Sequence, residues 1–502
     1  MAARGLFLRV LRALQLVSAT RERQVAPGSS DKLKGSSRRS TKDLLQHNNR
    51  YTEPEAIWAA LQPPGPGEEA VVRLVRMSWL LRFYALRQKK TSSGMRLPRR
   101  QEMPEEAFID VAELKEMYGE GNTDGLLPIV AVSHCWLTPA HPDPDCDSLR
   151  VLCRYLREQR AAFAEFGFPE VGVFMDWVSL WQRNTHLWRN FMYRPVSQLT
   201  PKQVAALEAY QSSRTPAENA SFLAALKDTM DLWYAHHGTT VVLLTELPPR
   251  FEGRRPQYND AGWTTYERCC AELIKEQHLD YAEWRLVQVL LQLSESRKEW
   301  AFAAAARRAT SRRRSSVDPR RLKRRWPVGP DDFEALVQQK TFTNGSDAEV
   351  VTALYRQLST EILGGARTLD FEGMPPPSDA DGARLGRCLN LCTRCVSLDL
   401  QSIRMGDACS VALFSALDAD ALPALTNAQC NDNDIGDAGM AALAAAFTRG
   451  AMPALRRLHK KQTEETMADL VKDGINYVSG GLNLAQNPGD TGPVWRAIAD
   501  AM

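Results

Sequence analysis

The residues in this chain whose types and spacing could do chemistry fall within 129–275. Ser133, His134 and Trp136 end the apolar run LPIVAVSHCW, which lies between Gly125 and Pro139 and reads as a buried strand. Asp176, Trp177 and Ser179 end a second such run, VGVFMDWVSL, and TTVVLLTEL reads as a third. Helical patterns separate them. In DSLRVLCRYLREQRAAFAEF, Leu149, Leu152, Cys153, Leu156 and Phe163 recur at three- and four-residue steps. FLAALKDTMDLWYAH precedes the third strand and GWTTYERCCAELIKEQ follows it. Strands alternating with helices imply a parallel sheet, and ligands of such sheets bind beyond the carboxyl ends of the strands. Ser133, His134 and Trp136 would then share one rim with Asp176, Trp177 and Ser179. In the last of these helices Trp263 and Glu267 stand four residues apart, on one face.

Each candidate has a plainer use. Glu267 could pair with an arginine while Trp263 packs as core, Asp176 could cap the turn after its strand, and Cys269-Cys270 suits buried packing. His134 sits where it could touch a ligand, but no histidine has the spacing of a metal motif. Cys392 and Cys395 form a lone C-x-x-C, and a shift of 30 residues maps them onto Leu422 and Leu425, so they read as core rather than zinc ligands. No phosphate-binding G-x-x-x-x-G-K-[ST] occurs. The expectation is no metal and no resident cofactor.

The elements around these residues make a modular chain. Its 502 residues exceed one core, and 44% hydrophobic with 25% charged residues is ordinary globular composition. The longest stretch without Asp, Glu, Lys or Arg, Gly125 to Pro142, carries three prolines and cannot be a membrane helix. Net charge is +3, yet Arg307 to Arg325 holds ten Arg/Lys against Asp318, a local +9, leaving −6 elsewhere. The basic balance therefore describes one segment, which lacks interleaved aromatics other than Trp326, and nucleic acid is not an expected partner. Ten cysteines are too few for a disulfide scaffold, which points to reduced thiols and a cytoplasmic protein.

The divisions read as follows. Residues 1–50 form a disordered basic N-terminus whose acid-poor, Arg-containing start is either a frayed tail or a mitochondrial or plastid transit peptide. Residues 51–122 are helical, with a capping box from Thr52 to Glu55, a helix over 68–86 and another over 104–118. The α/β domain spans 123–300. A basic linker over 301–330 carries Ser316 and Thr310 as phosphorylation candidates and also suits a nuclear signal. A helical cap over 331–365 opens with a turn at Asn344-Gly345 and a capping box from Ser346 to Glu349. Over 366–502 a repeat appears: Leu398, Leu400, Met405 and Asp407 map onto Ala428, Cys430, Ile435 and Asp437, each 30 residues on. An earlier copy starts at Leu369. A later one starts at Leu455 and Leu458 and resumes in LNLAQNPGD after an interruption at 459–481, which is either an inserted loop or a gene-model artefact.

Two resemblances follow from these motifs. L-x-L followed by N-x-I-G-D at a period near 30 resembles leucine-rich repeats of the ribonuclease-inhibitor type, an α/β solenoid. Ser133-His134-Cys135-Trp136, Asp176 with Gln182, and Gly262-Trp263-Thr264 with Glu267-Arg268 together resemble the HET (heterokaryon incompatibility) domain, a relative of the TIR fold. The likeness covers about 150 residues and departs from the family pattern at Leu137, Ala261 and Tyr266. It implies a TIR/HET-like parallel sheet with flanking helices. By likeness to TIR proteins that cleave NAD, it also implies Glu267 as catalytic carboxylate. Ser133, His134, Trp136, Asp176, Trp177, Ser179 and Trp263 would then bind substrate, and NAD would be that substrate. Breaking the nicotinamide–ribose bond builds oxocarbenium charge that an anion stabilises. The expected function is an intracellular sensor or signalling protein whose repeats bind a protein partner and whose α/β domain self-associates or cleaves NAD. The alternative is a non-enzymatic adaptor or scaffold.

Overall fold

Two parallel-rich sheets and the helices that cover them make an α/β protein. The computed structural model describes residues 50–89, 96–119, 125–194, 196–274, 286–289, 324–342, 347–371, 374–457 and 481–500. Thr310, Ser316, Asn344, Gly345, Ser346, Leu458 and nearly all of 1–50 and 459–481 lie outside the described residues. Among the described residues no helix is long and apolar enough to cross a membrane.

The chain opens with α1 (Pro54–Leu61), whose N-cap is Glu53, without a side-chain cap bond, rather than the expected Thr52, and Pro54 starts the helix. The helix expected over 68–86 is also corrected. Val75–Arg76 form a short strand, β1, and the helix α2 runs only over Met77–Lys89. Val75 is fully buried opposite Val173, and the Arg76 guanidinium is held by Glu113 and the Phe108 carbonyl, so tertiary pairing overrides the helical pattern there. The helix expected over 104–118 is α3, Val111–Gly119, delayed because Asp110 accepts the Ala112 N–H at 2.7 Å.

The first sheet continues with β2 (Ile129–His134), then α4 (Asp147–Glu165), then β3 (Gly172–Phe174). The second strand is shorter than its apolar run, since Asp176–Ser179 make a helical turn, α5. Helices α6 (Pro201–Gln211), α7 (Pro216–Asp228) and α8 (Met230–Ala235) lead to β4 (Thr240–Leu244). The single helix expected over 222–236 breaks at Thr229, whose hydroxyl donates to the Ala225 carbonyl and accepts the Trp233 indole N–H. Then come α9 (Gly262–Ile274) and β5 (Leu286–Val289), a strand the apolar pattern did not reveal. The order is β1-β3-β2-β4-β5, parallel except for β1.

Pleat alternation sorts the faces. Ala131 pairs with Phe174, which stacks on Trp233 of α8, so Ala131 and Ser133 look toward α8 and α9. Val130, Val132 and His134 look the other way, toward α4, which packs on α2.

Helices α10 (Pro330–Val337) and α11 (Asp347–Gly365) follow. They do more than cap the repeats. Phe333 and Tyr355 stack at 3.9 Å, and both meet Tyr266 of α9 edge-on at 6.4 Å. The end of the expected linker is buried rather than solvated. Arg324 donates to the Glu272 and Leu273 carbonyls at the end of α9, Arg325 pairs with Glu272, and Trp326 donates to the Pro375 carbonyl.

The second sheet is four parallel strands, β6 (Thr368–Asp370), β7 (Ser397–Asp399), β8 (Asn427–Gln429) and β9 (Gly481–Asn483). Its register follows the repeat: Leu369 pairs with Leu398, Leu398 with Ala428 30 residues on, and Ala428 with Leu482 beyond the interruption. Each strand leads to a helix: α12 (Asp379–Asn390), α13 (Asp407–Ser415), α14 (Asp437–Arg449) and α15 (Gly492–Asp500). Cys392 and Cys395, both fully buried, occupy the places of buried Leu422 and Leu425 one copy on. Their thiols donate to the Cys388 and Ser397 carbonyls, as packed core cysteines do.

Helix α12 approaches α13 through glycines. A Cβ on Gly386 would stand 2.5 Å from the Leu413 carbonyl oxygen, and one on Gly382 the same distance from that of Cys409. Backbone cannot swing aside, so Gly386→Ala is expected to cost about 2 kcal/mol of stability through overpacking. Urea unfolding at equilibrium checks this, and an unchanged midpoint would refute it.

Candidate functional site

The carboxyl end of β2 brings Ser133 under α9. Its hydroxyl donates to Glu267 Oε2 at 2.5 Å and lies 2.6 Å from the Tyr258 hydroxyl. One hydroxyl proton serves one acceptor, so with Ser133 donating to Glu267 the Tyr258 hydroxyl is the donor to Ser133. The Tyr234 hydroxyl, from α8, also lies beside Glu267, and it donates to the Val132 carbonyl at 3.3 Å. Ser133, Tyr234 and Tyr258 are almost fully buried and Glu267 is 7% exposed.

Burial is the largest cause raising the Glu267 pKa well above the usual carboxyl range, and the negative charge of nearby Asp176 adds to it. The Ser133 hydrogen bond and the Tyr234 hydroxyl oppose the shift without cancelling it. Burial therefore favours the neutral form of Glu267 in this conformation. Among the described residues no arginine pairs with it: its neighbour Arg268 bonds Glu272 and Asn259.

Asp176 stands at the half-buried mouth of this cluster. It accepts the Trp136 indole N–H at 2.8 Å and the Trp177 backbone N–H at 2.7 Å, so it caps its turn and also anchors the motif after β2. Gln182 donates to the Asp176 carbonyl at 2.7 Å, joining the two residues that sequence paired. Trp136 meets Trp177 edge-on at 5.5 Å.

The other predicted residues are turned elsewhere. His134, being one residue beyond Ser133, faces the opposite side of the sheet beside Asp143, with Nε2 buried and lacking a hydrogen-bond partner among the described residues. Asp143 itself caps α4 through the Asp147 and Leu149 N–H groups. Trp177 is buried and donates to the Leu97 carbonyl, and Ser179 accepts the Met175 N–H within its own turn. Trp263 donates to Asp347 of α11 at 2.9 Å, so it joins the two halves of the chain.

Sequence reasoning did not single out Tyr234 or Tyr258. Tyr258 lies in the irregular segment before α9, where neither period nor motif marks it. Nearby Cys135 is pushed up to about 12 by burial and Cys269 to about 11, which makes both poor nucleophiles. Among the described residues no group of three or more His, Cys, Asp or Glu is arranged to hold a metal ion. The arrangement is thus a covered acid, donor groups directed at it, and a half-buried carboxylate at its edge. No protein-family model, curated protein or solved structure matches this chain.

Proposed function

We propose that the chain is a cytoplasmic signalling protein in which a TIR/HET-like α/β unit is joined to a leucine-rich-repeat solenoid. The repeat reading is supported by the in-register parallel strands, the first three spaced by about 30 residues, each followed by a helix. Thr368, Ser397 and Asn427, with Asp370, Asp399, Gln429 and Asn483, form two polar rows on the strand face opposite the buried leucines, and a protein partner binds there.

The observation that carries the α/β reading is the 2.5 Å bond between Ser133 and Glu267, with Asp176 close enough to raise the Glu267 pKa. Three motif positions far apart in sequence converge at strand ends, where this class of sheet binds ligands. In the active form Glu267 acts as an anion. The bond from ribose C1′ to the nicotinamide nitrogen breaks, its electron pair leaves with nicotinamide, and Glu267 stabilises the ribosyl cation until water captures it. Glu267 is covered and its burial disfavours that anion, so we read the conformation described as a resting state. Self-association of the α/β units opens it.

A second reading, the non-enzymatic adaptor, is favoured by one observation: Trp263 is already engaged by Asp347 and Glu267 by the Ser133 hydroxyl. Nicotinamide release from NAD by the full chain separates the two. The expected result is no release from dilute protein and release on forced clustering, abolished in Glu267→Gln. Absence of release from clustered, folded wild type would leave the adaptor reading.

A further inference from the structure

Beyond α5, two arginines come together without an acid between them. The Asn184 N–H donates to Ser213 Oγ at 2.8 Å, which sets the neighbouring residues Arg183 and Arg214 side by side. Arg214 is 7% exposed, yet its guanidinium makes one hydrogen bond, to the Trp181 carbonyl at 3.3 Å, and its Nε has no partner. Arg183 Nε is likewise buried and unpartnered. Among the described residues neither forms an ion pair, whereas the other deeply buried arginines, Arg100, Arg268 and Arg324, are spent on Glu69, Glu272 or backbone carbonyls. The acid that acts most on Arg214 is Glu218, and its carboxylate is taken by the Thr215 N–H in the capping box of α7.

A buried cation without a counter-charge is costly, and a second cation beside it raises the cost. The like charge of Arg183 and burial both depress the Arg214 pKa, to about 10. What keeps these side chains in place is stacking: Arg214 lies over Phe222 at 3.8 Å and Arg183 over Tyr210 at 5.5 Å from the ring centres. Two planar forks held on aromatic rings with free N–H groups match the geometry of a phosphate oxyanion. A carbonyl or a water would complete the hydrogen bonds but would leave the two charges uncompensated.

We propose that Arg183, just after α5, and Arg214, in the turn between α6 and α7, form a phosphate-binding site that takes the phosphates of a nucleotide. The site stands on the arginine pair; naming a nucleotide as its occupant rests on the reading of the nearby Ser133–Asp176–Glu267 rim given above. Trp181 and Gln182 connect the two, since Trp181 receives Arg214 and Gln182 bonds Asp176.

Calorimetric titration of the full chain tests binding without depending on turnover. The ligands are ADP and inorganic pyrophosphate, neither of which has a nicotinamide bond to cleave, with nicotinamide riboside as the phosphate-free control. ADP and pyrophosphate are expected to bind, the riboside not to, and added salt to weaken the binding. Arg183→Gln and Arg214→Lys are each expected to lower ADP affinity about tenfold or more, because charge-assisted bidentate contacts are lost. Arg183 is half-buried, so its variant keeps the test valid if Arg214→Lys does not fold. Tighter binding of ADP than pyrophosphate identifies a nucleotide as the source, and equal binding identifies free phosphate. No binding of either anion to folded wild type, or unchanged affinity in Arg183→Gln, overturns the site. An anion that binds while clustered protein releases no nicotinamide would refute the NAD reading and leave the site standing.

Discussion

Asn433→Ala is expected to cost the repeat region about 4 kcal/mol, because it strands a set of buried backbone groups that each cost roughly 1–3 kcal/mol when unpaired. Asn433 is 4% exposed and spans two copies of the repeat. Its Oδ1 accepts the Ile403 and Met405 N–H groups at 3.1 and 3.0 Å. Its Nδ2 donates to the carbonyls of Leu400, Cys430 and Asn431, at 2.7, 3.1 and 3.3 Å. The preceding copy has Ile403 where this one has Asn433, so it depends on its neighbour for these bonds. Asn487 makes the same contacts one copy on, to Ile435, Cys430, Leu484 and Ala485. Asn427, half-buried on the open strand face, is the control, and its alanine variant is expected to change stability by less than about 1 kcal/mol. Urea midpoints for the two variants decide the matter. A loss at Asn433 no larger than at Asn427 would mean that water satisfies the freed groups and that the ladder is not what ties the copies together.

Glu267→Gln is expected to stabilise the protein at neutral pH, opposite in sign to most substitutions of buried polar residues. Burial raises the Glu267 pKa in the folded chain, while in the unfolded chain the carboxyl ionises near pH 4.3, to within about a unit. Folding above that pH takes up a proton. The unfolded state then binds fewer protons than the folded one, and stability falls as pH rises toward the folded pKa. Glutamine keeps an oxygen for the Ser133 hydroxyl and has no proton to take up. The variant's advantage should therefore grow with pH, by at most about 1.4 kcal/mol per pH unit and only up to the folded pKa, and vanish below about pH 4. Unfolding free energies at pH 4, 5, 6 and 7 provide the check. A difference that does not vary with pH would show that Glu267 is ionised in the folded chain. The result also bears on the nicotinamide-release experiment, since activity lost in a variant more stable than wild type cannot be blamed on unfolding.

Local pattern carried a good deal of this molecule. Apolar runs bounded by glycine and proline located β2, β3 and β4, because a strand buried on both faces needs an unbroken run of apolar side chains. The 30-residue spacing from Leu398 to Ala428 is the pairing register of the second sheet, because equal chain lengths between equivalent positions stack them. Cys392 and Cys395 could be assigned to core for the same reason. Ser133 and Asp176 could be brought to one rim because strand ends in a parallel sheet lie together, whereas Glu267 entered only through the TIR resemblance.

Tertiary structure decided what period and motif do not encode. β1 formed in a segment with a helical pattern because Val75 gains a strand partner in Val173. Ser133 and His134 are adjacent in sequence but face opposite sides of the sheet, since strand side chains alternate. Trp263 is held by Asp347, 84 residues away, a contact that exists only because α11 packs on α9. The charge state of Glu267 is the clearest case. Its residue type and spacing were legible in the sequence, but its protonation follows from how much water Tyr234, Tyr258 and the sheet exclude, and solvent exclusion is a property of the assembled layers.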